Sequence, residues 1–512
     1  MRLWRLVFLV LVGSVQPARA DWRVAETTHF VVHADMSENT LRRFAERLEK
    51  FDKALRIARG VDETPPPKAA RVRVYMLGSS AKVASLIGNA HVAGAYIPRA
   101  GDSVAFVPEE AAGDFGNPSG ITAEAVLFHE YAHHFMFTVW PDAALPSWVV
   151  EGWAEFNATA QVRKDGSILF GNAPNYRARG LLTGNPLPIE QLLAGAVGKL
   201  RTDQRAALYG RGWALVHYLT FEPSRKGQLG AYLDAITRQR RTPEQAAAAF
   251  GDLGVLHREL QQFLYRPRIS GYTIRAELLT VPPVSVRLLG PGEAAMMPVR
   301  IQLERGVRSE TAAALLAEAT RIAAAFPADP AVQATLAQAA YEARDWNGAL
   351  AAANRAIAAD ETMLEAHYHR ALAQMAQAQA AGDMRPETWL AIRRTISRAN
   401  RLDPDDPRPL ALYYRSFADH RETPSALARD GLLRAFTLAP QDRGLRLQTA
   451  AMLIAQRKLA EAREMLLVLT YDPHASGIGE RASRMIDAID AQKARAKPAA
   501  AGGTGPAGSL GA

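Results

Sequence analysis

Apolar residues between Leu41 and Leu55 fall at alternating steps of three and four, through Phe44, Leu48 and Phe51. That spacing lines one face of an α-helix, and Ser37 just ahead of it is a fitting cap. Before it, "HFVVHAD" reads as a short strand; after it, "PPPKAARVRVYML" passes through a proline-rich loop into an alternating strand at Val72, Val74 and Met76. "DSVAFVP" predicts another strand near Phe106. Strands and helices are mixed here. From about Glu310 to Ile489 the two-residue alternation vanishes and alanine-rich helical stretches follow one another. They are separated by "PADP" at Pro327, "AADE" at Ala358, "DPDDP" at Asp403, "LAPQD" at Leu438 and "YDP" at Tyr471.

These breaks recur at roughly 31 to 44 residues, with an insertion near "AGDMRPE". The interval is close to the helix-turn-helix period of about 34 residues in a tetratricopeptide array. "YEARDWNGALAAANRAIAADE" resembles that repeat most clearly, at Trp346, Ala349, Leu350 and Ala356. Between the halves, "VPPVSVRLLGPGEAAMMPVRIQ" reads as a linker or a small strand pair. The expected organisation is a signal at 1–20, a mixed domain at 21–275, a linker at 276–305, helical repeats at 306–490 and a Gly- and Ala-rich disordered tail at 491–512. The fold class expected is α+β followed by an all-α solenoid.

Composition narrows the function classes. The start carries Arg2 and Arg5, an apolar run from Leu6 to Val15 and the small-residue pattern Ala18-Arg19-Ala20, the marks of a cleavable export signal. No later stretch is long and apolar enough to predict a membrane span, so the expectation is a periplasmic or secreted protein. The absence of cysteine excludes disulfides, thiolate metal sites and a catalytic thiol. The formal charge of +9 falls to about +6 without Arg2, Arg5 and Arg19, and no basic stripe with interleaved aromatics supports nucleic-acid binding.

The candidate chemistry sits in "VLFHEYAHHFMF", Val126 to Phe137, where titratable groups interrupt an apolar run. Burying them needs a partner, because desolvating a charge costs several kcal/mol. His129, Glu130 and His133 spell H-E-x-x-H, and on a helix starting at Thr122, after the turn "NPSG", both imidazoles share one face and can hold one zinc ion. Glu130 lies beside them, placed to act as a base on water. A catalytic zinc site needs a third protein ligand. "LPSWVVEGWAEF" supplies Glu151, eighteen residues beyond His133, and one turn later Glu155, placed to orient a ligand histidine. Trp148 and Trp153 are expected to pack this second helix.

H-E-x-x-H followed by W-x-x-E-G-x-A-E resembles the gluzincin metallopeptidases, specifically peptidase MA-like domains of exported bacterial proteins with tetratricopeptide repeats downstream. The start at Trp22 and "YGRGWALVHYL" from Tyr209 also look like that group, and the resemblance covers roughly residues 21 to 270. It implies a small mixed sheet, an active-site helix and a helical subdomain. It also implies one zinc per chain on His129, His133 and Glu151, Glu130 as general base, and Glu155 as orienting carboxylate. Related enzymes place a tyrosine or histidine of the helical subdomain on the oxyanion, which makes Tyr209 the candidate, with His217 and Tyr218 as rivals. The strand at Val104 to Val107 offers an edge for a peptide, against ordinary sheet membership. No G-x-M-E-N segment precedes His129, so the resemblance favours an endopeptidase over an aminopeptidase.

The other histidines read as structural: His29 and His33 in the first strand, His367 and His369 in a repeat helix, and His134 as a surface or outer-shell residue. The repeats suit a peptide substrate or a protein partner. The leading expectation is an exported zinc endopeptidase. The alternatives are a repeat-based scaffold with an inactive or autoinhibited peptidase-like domain, and a zinc hydrolase of another substrate class.

Overall fold

The computed structural model describes residues 21–90, 92–110, 122–182, 187–194 and 202–496. The expected signal, the "NPSG" turn and the tail beyond 496 lie outside the described residues. The chain is mainly helical, with a small mixed sheet.

Among the described residues, nine strands are β1 (Arg23–Glu26), β2 (Phe30–Ala34), β3 (Val72–Ser79), β4 (Ala95–Ile97), β5 (Val104–Glu110), β6 (Gln161–Val162), β7 (Ile168–Phe170), β8 (Tyr272–Ile274) and β9 (Ser285–Leu288). Six form one sheet in the order β4-β5-β3-β2-β1-β9, parallel at its centre (β2, β3, β5) and antiparallel at both ends. The other three make a small antiparallel sheet, β6-β7-β8.

Both faces of the main sheet are covered. On one, Val32, Val74, Met76, Ala105 and Val107 pack against the Glu38–Arg59 helix and the Ala123–Val139 helix, where Phe51 stacks on Phe128 at 3.8 Å. On the other, Val31, Tyr75, Val104 and Phe106 meet Val83 of the Ser80–Ile87 helix, with Met297 and Ile301 of the Pro291–Arg305 helix. Two-sided burial explains why "VAFV" reads as an unbroken apolar run. It also corrects one expectation: β5 is an interior strand, and the free edge beside it is β4.

The segment 276–305 is not a linker. Its alternating part forms β9, which pairs with β1 in the register Ala25 to Val286. The rest is a two-sided helix. Met297 and Ile301 face the sheet, while Met296, Val299 and Leu303 belong to the first core of the helical array. A pattern that serves two cores looks irregular to a one-face periodicity test.

Ten helices follow, from Ser309–Ala325 to Ser476–Ala496, so the last extends into the segment expected to be a disordered tail. Three of the sequence breaks are helix starts: the side chains of Asp329, Asp406 and Asp442 accept backbone N–H groups at helix N-termini, and Pro330 and Pro407 occupy first helical positions. Four successive hairpins each turn on a residue with left-handed backbone, Arg344, Gly382, Arg421 and Arg457, some 36 to 39 residues apart. In the Trp346–Ala359 helix, the second of the first hairpin, Ala349, Ala352, Ala353 and Ala356 are fully buried, and such small side chains let helices approach closely. Among the described residues, no helix is long and apolar enough to cross a membrane.

Candidate metal centre

Two helices build the centre. The Ala123–Val139 helix starts at Thr122, whose side chain accepts the Ala125 N–H at 3.1 Å, and it is buried on most sides. The Ser147–Ala158 helix is buried along its whole length, with Trp148 and Trp153 packed into the core. A Cβ at Gly152 would stand 2.3 Å from the Gly212 backbone, so only glycine lets the Ser147–Ala158 helix touch the Thr202–Phe221 helix there. That contact carries Tyr209 to the site.

His129, His133 and Glu151 converge. Their Nε2 atoms lie 3.1 Å apart, and Glu151 Oε2 is 3.5 Å from each. A zinc ion with bonds of about 2.0–2.1 Å in tetrahedral geometry needs donor atoms roughly 3.3–3.4 Å apart. The triangle therefore matches one face of such a site. Glu151 is 1% exposed, and its Oε2 has no hydrogen-bond partner in the structure. A buried carboxylate oxygen facing two imidazole nitrogens is the unmet donor set that a divalent cation satisfies.

The surroundings orient this set. Glu155, fully buried, places Oε1 3.6 Å from His129 Nδ1. It is held by Arg177, which donates from Nε at 2.9 Å, and by the Tyr176 hydroxyl at 2.8 Å. Arg177 also lies over the Tyr209 ring at 4.8 Å, and that ring stacks 6.1 Å from His129. The charge of Glu151, followed by burial, raises the Tyr209 phenol well above its usual range, so it stays protonated and able to donate. Burial raises the Glu130 carboxyl, against the opposing pull of His129 and His474. Such a shift moves a carboxylate toward the range of an effective general base. Burial holds His133 neutral down to about 4, the form in which imidazole binds a metal.

Of the three groups considered for the oxyanion, the structure brings only Tyr209 to the centre. His217 Nε2 faces the Ser270 and Gly171 carbonyls at 2.9 and 3.2 Å, and the Tyr218 hydroxyl donates to Glu259 at 3.2 Å. His217 is thus spent on carbonyls beside the small sheet, and Tyr218 on the Leu253–Phe263 helix. His134 is not a surface residue: it is 7% exposed, stacked on Tyr131, with Nδ1 2.8 Å from the Tyr96 hydroxyl. A second buried group, His29, Glu49 and Asp52, lies behind the centre. Its groups already have partners: His29 Nδ1 lies 2.6 Å from Glu49, Arg56 pairs with Asp52 at 2.7 Å, and the Tyr131 hydroxyl donates to Asp52.

Three contributors escaped sequence reasoning. Arg177 and Tyr176 sit on a short 3-10 turn, Asn175–Arg177, with no periodic signal. His474 comes from the far end of the helical array, and its Nε2 stands 3.0 Å from Glu151 Oε1.

No protein-family model matches the chain. No curated protein matches it either. Among solved structures, the crystal structure of yeast Tom70 aligns with 75% of this chain and 76% of its own, at 12% identity and a TM-score of 0.27, too low to carry a fold assignment.

Proposed function

We propose that the chain is an exported zinc-dependent endopeptidase of gluzincin type, with tetratricopeptide-like repeats that engage a peptide substrate or a protein partner. The observation that carries this reading is the triangle of His129, His133 and Glu151 donors with an unpartnered buried oxygen, flanked by Glu130. Zinc, when bound by those three residues, supplies a Lewis acid that polarises a carbonyl and acidifies water. Glu130 takes the proton of the attacking water and returns it to the leaving amine. Tyr209 donates a hydrogen bond to the oxygen on which charge develops. Glu155, clamped by Arg177 and Tyr176, keeps the His129 ring turned toward Glu151. The edge strand β4, beside Glu130, suits an extended substrate that pairs through its backbone.

The test is hydrolysis of an unbiased peptide library by the zinc-loaded chain and by Glu130→Gln. Losing a general base is expected to lower the rate by about 10²–10⁴-fold while zinc content stays unchanged. Equal turnover by both proteins contradicts the assigned role. A zinc-loaded chain that binds peptides without cleaving any supports the scaffold reading instead.

A further inference from the structure

Glu151 has two carboxylate oxygens with different surroundings. Oε2 faces His129 and His133, while Oε1 is met by His474, which lies on the short connection between the Leu459–Tyr471 and Ser476–Ala496 helices. This is a contact between the buried heart of the candidate centre and the last repeats of the array. The connection is fixed: Asp472 accepts the His474 backbone N–H at 2.8 Å and pairs with Arg443, whose guanidinium lies 5.9 Å from the Phe137 ring on the histidine helix. The same end of the array is anchored at three further points. Arg446 donates to the Pro141 carbonyl at 2.6 Å, Gln441 to the Arg99 carbonyl at 3.1 Å, and the Tyr471 hydroxyl to Glu244 at 3.2 Å. The His474 ring also stands edge-on to that of His133, 5.0 Å between centroids.

A carboxylate ligand is free to rotate about its last torsion unless its second oxygen is held, and outer partners of this kind set metal affinity. We propose that His474 is a positioning residue for Glu151, so that the metal centre is completed only when the end of the repeat array is docked. The inference rests on the zinc reading of the three-residue triangle. Its consequence is linkage: if docking raises zinc affinity, zinc strengthens docking by the same factor. The array thereby acts on the centre through one carboxylate.

The experiment titrates zinc into the full-length metal-free protein against a chromogenic chelator, for wild type, His474→Ala and His474→Gln. Gln keeps an N–H donor close to the position of Nε2. Wild type is expected to bind one zinc per chain, His474→Ala about 10–100-fold more weakly, and His474→Gln close to wild type. Hydrogen exchange supplies a readout independent of affinity. Zinc is expected to slow exchange across residues 459–475 in wild type and to leave it unchanged in His474→Ala. Wild-type affinity in His474→Ala overturns the inference. So does failure of His474→Gln to restore binding, because the ring would then act as a ligand rather than as a partner of one. A wild-type protein that binds no zinc overturns the underlying reading of the centre instead.

Discussion

Two pairs of histidines, one on the candidate metal helix and one in the helical array, have opposite chemistry. In the array, His367 and His369 are 6% and 7% exposed, and each ring meets a backbone carbonyl, Glu361 at 2.9 Å and Glu365 at 2.8 Å. At a spacing of two residues they point to different sides of their helix, and each is satisfied alone. His129 and His133, one full turn apart, instead turn their Nε2 atoms toward each other and toward a carboxylate oxygen with no other partner. Residue type is the same in the two places, and His133 is as buried as the array pair. What separates a structural pair from a site is whether the donors are already spent.

That contrast can be sharpened from the centre outward. Tyr209→Phe removes a donor without touching the triangle, so turnover is expected to fall about a hundredfold at unchanged zinc content; single-turnover peptide assays would read it. Glu155→Gln strips the charge that Arg177 and Tyr176 hold beside His129. Zinc affinity is expected to weaken about tenfold or more, measured by chelator competition. An unchanged affinity would reduce Glu155 to a packing residue.

Next comes a prediction about pH. Burial lowers His217 to about 4 while its Nε2–H is shared by two carbonyls. Between about 6.5, the unfolded value, and 4, the unfolded chain binds a proton that the folded chain refuses, so stability rises with pH there and is lost as pH falls. Below 4 both states are protonated and the loss stops. Denaturant unfolding of the metal-free protein is expected to show this slope, and His217→Gln is expected to flatten it. The smallest effect belongs to the array. His367→Ala is expected to cost about 1–3 kcal/mol in thermal unfolding and to leave zinc content untouched. Loss of zinc in that variant would break the contrast between the two pairs.

How much of this could be read from the sequence follows from the range of the interactions. The histidine pair and Glu130 were legible because one helical turn fixes their relation, and Thr122 caps the helix as its position suggests. Glu151 and Glu155 were legible as a pair on the next helix for the same reason. Arg177 was not, since nothing local ties a short 3-10 turn to a carboxylate 22 residues earlier. His474 was hidden more deeply: its contact exists only because the array folds back over the first domain. The apparent linker failed for another reason. Prolines at 282, 283, 291 and 298 suggest irregular chain, yet β9 and the following helix each find a core on the partner they reach. His217 and Tyr218 were rivals because the resemblance calls for a tyrosine or histidine of the helical subdomain, and only their facing direction distinguishes them from Tyr209.

The most direct test of the central claim is elemental analysis of the dialysed full-length protein, wild type beside Glu151→Ala. The account predicts one zinc per chain in the wild type and a large loss in the variant, because the third donor and the only acid of the triangle is gone. A wild type that takes up no added zinc, or a Glu151→Ala chain that retains it fully, would contradict the claim that these three residues form a metal centre.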